Sequence, residues 1–432
     1  MFVSNNLSVN GKGHLTFADM DTTELAGRYG TPLYVMDEEM IRENMRQFRS
    51  SMDNFYQGGG LVCYASKAFS CKEIYRIAKA EGLGVDVVSI GELYTAMSVN
   101  FPAEKICYHG NNKTEEELSL ALDYGVGWIV ADSFGELELL NRLAENKGKQ
   151  AKILLRLTPG IEAHTHSFIQ TGQIDSKFGF TIEFGTAKEA VRTALSLPNL
   201  VLDGVHCHIG SQIFEIDPFV RAAEILIGFI ADIRDTLGYD LKTMNLGGGF
   251  GIKYIPADHP AAYQNYMREV SEAVKGLAKE KKLSLPYIII EPGRSIVGAA
   301  GITLYQVGGV KEIPGIRKYV SIDGGMTDNP RYALYEADYE FILANKASQD
   351  KNDTVTVAGR CCESGDLLGK DVPLQQAEIG DILAVCATGA YNYSMASHYN
   401  RVRKPAVVMV KDGTSRIVVR RETLDDMISC DI

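Results

Sequence analysis

Leu61-Val62-Cys63-Tyr64-Ala65-Ser66-Lys67 is a short apolar run that ends on a lysine, and the pattern returns at intervals as far as Glu291. The β-rich runs are Leu61–Ser66, Gly84–Ser89, Lys105–His109, Gly127–Ala131, Lys152–Leu157, Leu202–His208, Thr243–Leu246 and Tyr287–Ile290. They are apolar almost without interruption, as parallel strands covered on both faces are. The first four begin 21 to 23 residues apart, a natural βα period. Helical patterns fill the gaps. Cys71–Glu81 carries Ile74, Ile77 and Ala78 on one face. Thr114-Glu115-Glu116-Glu117 reads as a capping box. Asp217–Leu237 repeats Ala222, Ile225, Phe229 and Ile233 at helical spacing. Eight such units in about 250 residues predict an α/β fold, a (β/α)8 TIM-like barrel, over residues 36–299.

Beyond Gly301 helical periodicity fades. Ile302–Val307, Lys318–Ile322, Tyr339–Leu343, Thr354–Val357, Asp381–Cys386, Ala406–Val410 and Ser415–Val419 are apolar runs separated by turns. Residues 300–432 are expected to form an all-β, barrel- or sandwich-like domain, and residues 1–35 to join it through the strand-like Thr31-Pro32-Leu33-Tyr34-Val35. The 432 residues are 45% hydrophobic and 23% charged, which excludes disordered, collagen-like and coiled-coil classes. A formal charge of -11 argues against sequence-independent nucleic-acid binding. The start lacks a basic segment followed by an apolar one, so no signal peptide is expected. The apolar stretch Ser295–Val310 is shorter than the ~20 residues of a membrane helix and holds four glycines. Eight cysteines without a CxxC do not suggest a disulfide scaffold. The expected compartment is the cytoplasm.

A barrel of this kind builds its active site at the C-terminal strand ends, and nearly every run here ends on a polar residue. Lys67, Asp86, His109, Asp132, Arg156, His208, Gly247-Gly248-Gly249 and Glu291-Pro292-Gly293-Arg294 follow the eight runs in order. Three glycines after the seventh strand let backbone N–H groups close on an anion, and barrels commonly bind phosphate there; a mobile turn is the plain alternative. Lys67 among apolar neighbours is either salt-bridged to Asp86 or Asp132 or kept as an imine-forming amine by desolvation. An amine for an aldehyde across the mouth from a phosphate cradle suggests pyridoxal phosphate, which also needs a partner for its pyridine nitrogen. A competing reading takes His206 and His208, two residues apart on a strand, with His164 and His166, as metal ligands of a barrel hydrolase. No metal motif organises them.

The combined segments identify a resemblance. Tyr64–Ala68, Gly84–Leu93, Val205–Gln212, Asn245–Gly251, Glu291–Arg294, Cys362–Asp366 and Gly389–Tyr391 resemble, in order and over most of the chain, the alanine-racemase-like (fold type III) pyridoxal phosphate decarboxylases. The resemblance implies that Lys67 binds the cofactor aldehyde. Asp86 and Arg156 belong to the cofactor pocket, and His208 stacks on the ring. Ser211, Gly249, Gly293, Arg294 and Tyr391 hold the phosphate, and Glu291 pairs with the pyridine nitrogen. An acidic partner favours decarboxylation over racemisation, where an arginine stands. Cys362 is the implied proton donor, entering with Glu363 from the other subunit of a homodimer. Arg294, Arg331, Tyr335, Glu363 and Tyr391 would hold the substrate, with the arginines on a distal carboxylate. Arg331 and Tyr335 are one helical turn apart. A proline usually follows this arginine; here it is Tyr332. The implied reaction is decarboxylation of meso-2,6-diaminopimelate to L-lysine and CO2 at the end of lysine biosynthesis. Decarboxylation of ornithine, arginine, carboxynorspermidine or a D-centre substrate is the sibling alternative, and a partner-binding homologue without activity a further one.

Overall fold

The computed structural model describes residues 2–161 and 175–432. Its first layer is a closed barrel of parallel strands: Gly60–Ala65, Gly84–Val87, Ile106–Tyr108, Trp128–Ala131, Ala151–Thr158, Leu200–His206, Thr243–Asn245 and Tyr287–Ile290. Closure comes from the eighth strand meeting the first, with Ile288, Ile289 and Ile290 opposite Gly60, Leu61 and Val62. Although each run is apolar throughout, its residues divide by face. Leu61 and Cys63 pack into the barrel with Cys107, Trp128, Val130, Leu154 and Ile289. Val62 and Tyr64 turn outward into the larger core under the helices. Leu154 is fully buried at the barrel centre; truncating it to alanine would cost about 2–5 kcal/mol.

The helices form where the sequence signals them. Lys72–Ala80 buries Ile74, Tyr75, Ile77 and Ala78. Glu115–Tyr124 starts at Thr114, and both bonds of the capping box with Glu117 are made. Asp217–Leu237 opens with a proline in its first turn, buries Ala222, Leu226, Phe229 and Ile233, and stops at Gly238 with a left-handed φ of 64°. No helix among the described residues is long and apolar enough to cross a membrane.

The second layer is a sheet whose order mixes both chain ends. It runs Leu367–Leu374, Asp353–Ala358, Arg317–Ile322, Gly301–Ile313, Leu33–Asp37, Ala406–Lys411 and Thr414–Val419, with Ile382–Val385 and Phe341–Leu343 branching from it. Leu33–Asp37 is central: it pairs antiparallel with Gly301–Ile313 and parallel with Ala406–Lys411. Leu367–Leu374 was not anticipated. Its sequence LLGKDVPL holds a glycine and a proline, which suit only an edge, and an edge is where it lies. A small sheet of Leu7–Val9, Leu15–Phe17 and Met20–Asp21 precedes the helix Thr22–Tyr29.

Candidate active site

A cavity of about 550 Å³ opens at the C-terminal end of the barrel, with Lys67, His109, Arg156, His208, Glu291 and Arg331 in its lining. Lys67 is not on a strand but on the tight turn Ser66–Ala68 that follows the first one. Its Nζ lies 3.4 Å from Oδ2 of Asp86, which is buried at the end of the second strand. Of the two readings of this lysine, the salt bridge to Asp86 is the one made, and desolvation does not prevail. Burial pulls its pKa down, but Asp86, with Tyr391 and Glu291, outweighs burial and raises it. The free amine is therefore a cation held beside a carboxylate. Arg156, from the fifth strand, lies over the Phe178 ring at 4.0 Å and faces Asp132 at 3.9 Å. Burial lowers its pKa, with Asp132 opposing.

Glu291 follows the eighth strand and is buried. Its Oε1 accepts from Asn245 Nδ2 at 2.6 Å and pairs with His109 Nε2 at 2.7 Å, while His206 Nε2 stands 3.4 Å from Oε2. Burial would raise its pKa, yet His109 and then His206 hold it well below the usual carboxylate range. His208 is pushed well below its ordinary value by burial and then by the Lys67 charge, so its ring is neutral. Nδ1 accepts the Gly248 N–H at 3.2 Å, which fixes the ring against the cavity.

A smaller pocket of about 40 Å³ adjoins the cavity, lined by Ser211, Gly248, Gly249, Gly293, Arg294 and Tyr391 among others. Its walls need glycine. A Cβ on Gly248 would stand 2.1 Å from the Glu291 carbonyl oxygen, and one on Gly249 (φ +119°) 2.6 Å from that of Gly210. At Gly293 a Cβ would meet that of Ala65 at 2.9 Å. Arg294 closes the cradle: Nη2 donates to Ser211 Oγ at 2.9 Å, and the guanidinium lies 4.7 Å from the Tyr391 ring. Bare backbone, a hydroxyl and a buried arginine are a donor set for a phosphate. With Lys67 for an aldehyde and Glu291 for a ring nitrogen, the residues present fit pyridoxal 5'-phosphate.

Beside the cradle, the helix Arg331–Tyr335 presents both its end residues to the cavity. Arg331 is buried, donates from Nη1 to the Tyr339 hydroxyl at 2.8 Å and lies 4.4 Å from the Tyr254 ring. Burial works against its charge, but Tyr254 and Tyr339 raise its pKa and keep it protonated. Tyr254 also accepts from Arg294. Sequence reading missed Tyr254 and Tyr339, because a tyrosine that receives an arginine carries no motif. It missed the role of Asn245 as well, although that residue ends the seventh strand. Tyr332, the departure from the pattern, does not line the cavity.

Two sets of residues are not brought in. Cys362 and Glu363 sit on an exposed loop outside the cavity of their own chain, the Cys362 N–H donating to Asn400 Oδ1 at 2.7 Å. The idea that His206 and His208 share an ion fails, since His208 turns to Gly248. His206 instead groups with His109 and Glu291, whose ligand-type atoms lie within 4.8 Å. His164 and His166 lie outside the described residues.

A barrel lysine, an anion cradle built on glycine and a buried ionised glutamate define the class of barrel enzymes that work through pyridoxal phosphate. The chain belongs to the pyridoxal-dependent decarboxylase family, whose pyridoxal binding domain matches residues 38–298. Its full-length relatives are more particular. It is 50% identical to the diaminopimelate decarboxylase of Bacillus methanolicus, over 98% of each chain. It is 49% identical to that of Bacillus subtilis (strain 168), over 100% of this chain and 98% of the relative. The crystal structure of diaminopimelate decarboxylase from M. jannaschii in complex with L-lysine is similar with a TM-score of 0.91, at 36% identity, covering 100% of this chain and 99% of that one.

Proposed function

We propose that this chain decarboxylates meso-2,6-diaminopimelate to L-lysine and CO2 as a homodimer with shared active sites, in the cytoplasm. The observation that carries the substrate is the pair of buried arginines, Arg294 and Arg331, beside the Lys67 cavity. A planar guanidinium fits a carboxylate bidentately, whereas a substrate ending in an amine alone would be repelled there. The names of the full-length relatives and the L-lysine in the M. jannaschii complex support the same reading. All eight cysteines are free thiols, as suits a reducing compartment. Residues 36–299 carry the cofactor, while residues 1–35 and 300–432 supply the substrate clamp and the proton donor.

Pyridoxal phosphate, when bound, supplies the electron sink that accepts the charge left as CO2 departs. The chain does the rest. Lys67 Nζ, at the cavity wall, is the amine that would hold the aldehyde. Asp86 holds that amine near the reacting carbon. Glu291, kept ionised by His109 and His206 and bonded by Asn245, would keep a ring nitrogen protonated. The neutral His208 ring, lining the cavity, would face the cofactor ring without adding charge. Ser211, Gly249, Gly293, Arg294 and Tyr391 bind the phosphate, and Arg156 lines the opposite wall. Arg331, Arg294 and Tyr335 orient the distal carboxylate, and Glu363 of a second copy meets the distal ammonium. Cys362 of that copy then moves its thiol proton to the α-carbon. The exposure of the Cys362–Glu363 loop, away from its own cavity, is what calls for the second copy.

CO2 release measured across meso-diaminopimelate, L-ornithine, L-arginine and carboxynorspermidine tests the substrate. Faster turnover of any of the last three would overturn it. Mixing Lys67→Ala and Cys362→Ala chains tests the sharing: each variant alone is inactive, and a mixed dimer regains one cavity with both residues.

A further inference from the structure

Arg331, at the start of a short helix, and Cys362, on a loop, belong to one chain and, on the reading above, serve two different cavities. A single buried carboxylate joins them. Asp366 is 2% exposed. Its Oδ1 accepts the Met326 N–H at 2.6 Å, and its Oδ2 accepts the Cys361 N–H at 2.7 Å. Backbone bonds tighten the joint: Gly359 N–H to Asp366 O at 2.8 Å, Asp366 N–H to Glu363 O at 3.1 Å, and Arg360 N–H to Gly324 O at 3.0 Å. A Cβ on Gly325 would stand 2.5 Å from Asp366 Oδ1, and one on Gly359 2.2 Å from it. Both loops therefore give up side chains where this carboxylate packs. From Met326 the chain makes one further turn, in which Asn329 N–H donates to Gly325 O at 2.8 Å, and then enters the Arg331–Tyr335 helix. In the other direction Cys361 is followed at once by Cys362 and Glu363.

We infer that Asp366 is a positioning residue that fixes the Cys362–Glu363 loop against the Arg331 helix. The substrate clamp of one cavity and the proton donor of the other thus move as one piece. The carboxylate lines neither the Lys67 cavity nor the anion cradle. It acts because its two oxygens bind one backbone N–H on each loop, and a displaced loop carries its reactive side chain with it. A 1 Å misplacement of a reacting group costs about 100-fold in rate.

The test uses Asp366→Ala and Asp366→Asn in the holoenzyme. In the alanine dimer kcat falls by about 100-fold and KM rises, while the lysine-dependent absorption band of the cofactor is unchanged. The asparagine variant keeps one acceptor and falls between alanine and wild type; it decides the matter if the alanine chain fails to fold. Co-expression of Asp366→Ala with Lys67→Ala, under two affinity tags, gives a mixed dimer with one competent cavity. That cavity has the loosened helix but receives Cys362 from the intact loop. Its kcat returns to the wild-type value per cavity while its KM stays raised, a split that general destabilisation would not produce. The inference is overturned if kcat and KM of the variant dimers stay within about threefold of wild type, or if the mixed dimer recovers KM but not kcat. The Lys67→Ala and Cys362→Ala mixture is the control for shared sites. Should it stay inactive, the sharing falls, and Asp366 is judged on its own dimers alone.

Discussion

Replacing Arg331 by methionine isolates the distal carboxylate clamp. Methionine replaces the apolar stem of the arginine, so the site loses the guanidinium and its charge while the stem stays packed. A guanidinium and a carboxylate make two charge-assisted hydrogen bonds, each worth about 1.5–3 kcal/mol. Arg294 remains in the cavity and shares the load, so the lower figure is used for each bond. The loss is then about 3 kcal/mol, or roughly 160-fold in kcat/KM at 1.36 kcal/mol per decade. The cost to the fold is smaller. Tyr339 keeps Asn392 Nδ2 at 3.3 Å, and the stacking over Tyr254 is worth about 0.5–2 kcal/mol. The assay is initial CO2 release against diaminopimelate concentration, with cofactor occupancy read from absorption in the same sample. The reasoning is refuted if kcat/KM changes by less than about fivefold, near 1 kcal/mol, or if the loss follows cofactor release.

Three other outcomes are expected. Gly249→Ala places a side chain at φ +119° and 2.6 Å from the Gly210 carbonyl oxygen; strain of about 1–3 kcal/mol weakens cofactor affinity roughly 5- to 160-fold, read by titrating the apoenzyme with pyridoxal phosphate. Cys362→Ala loses about 10²- to 10⁴-fold in turnover with the absorption band intact, and a near-normal rate would remove it as the acid. Asp328, buried beside Tyr305, has its pKa raised by burial from 3.8 to about 7. The folded state therefore holds that proton more tightly than the unfolded one, so its contribution falls as pH rises from about 4 to about 7 and is level above. Asp328→Asn lacks this dependence: the variant's Tm gains on wild type between pH 4 and pH 8, and parallel curves would show that Asp328 titrates normally.

The barrel was legible because each strand is short, apolar and followed by a polar residue, from Lys67 to Glu291. The second sheet was legible as a class but not as a topology. Nothing local in Leu33–Asp37 states that its neighbours are Gly301–Ile313 and Ala406–Lys411; such pairings are set by tertiary contacts. Leu367–Leu374 was hidden by its glycine and proline. In the site, the loop glycines and strand-end charges showed themselves by position, and Arg331 and Tyr335 by helical spacing. What stayed hidden was support from a distance. Asn245 and His109 steady Glu291, Tyr254 and Tyr339 steady the arginines, and Asp366 joins two loops. Except for Tyr339, eight positions from Arg331, each works through a partner dozens of positions away or more, or through bare backbone, which no spacing rule records. The charge state of Lys67 stayed open for a related reason: its apolar neighbours suggest desolvation, and only the fold shows that Asp86 reaches it from the next strand.

The central place of Leu33–Asp37 in the second sheet has a consequence for how the chain is made. That strand leaves the ribosome about 370 residues before its parallel partner Ala406–Lys411. At about 5–20 residues per second, roughly 20 to 75 s separate the two during synthesis. All eight barrel strands and Gly301–Ile313 emerge within that interval, so Leu33–Asp37 waits with one edge paired and the other open. Chains cut short just before Ala406 would hold all eight barrel strands and one open strand edge, the kind of product that quality-control proteases and aggregation remove first.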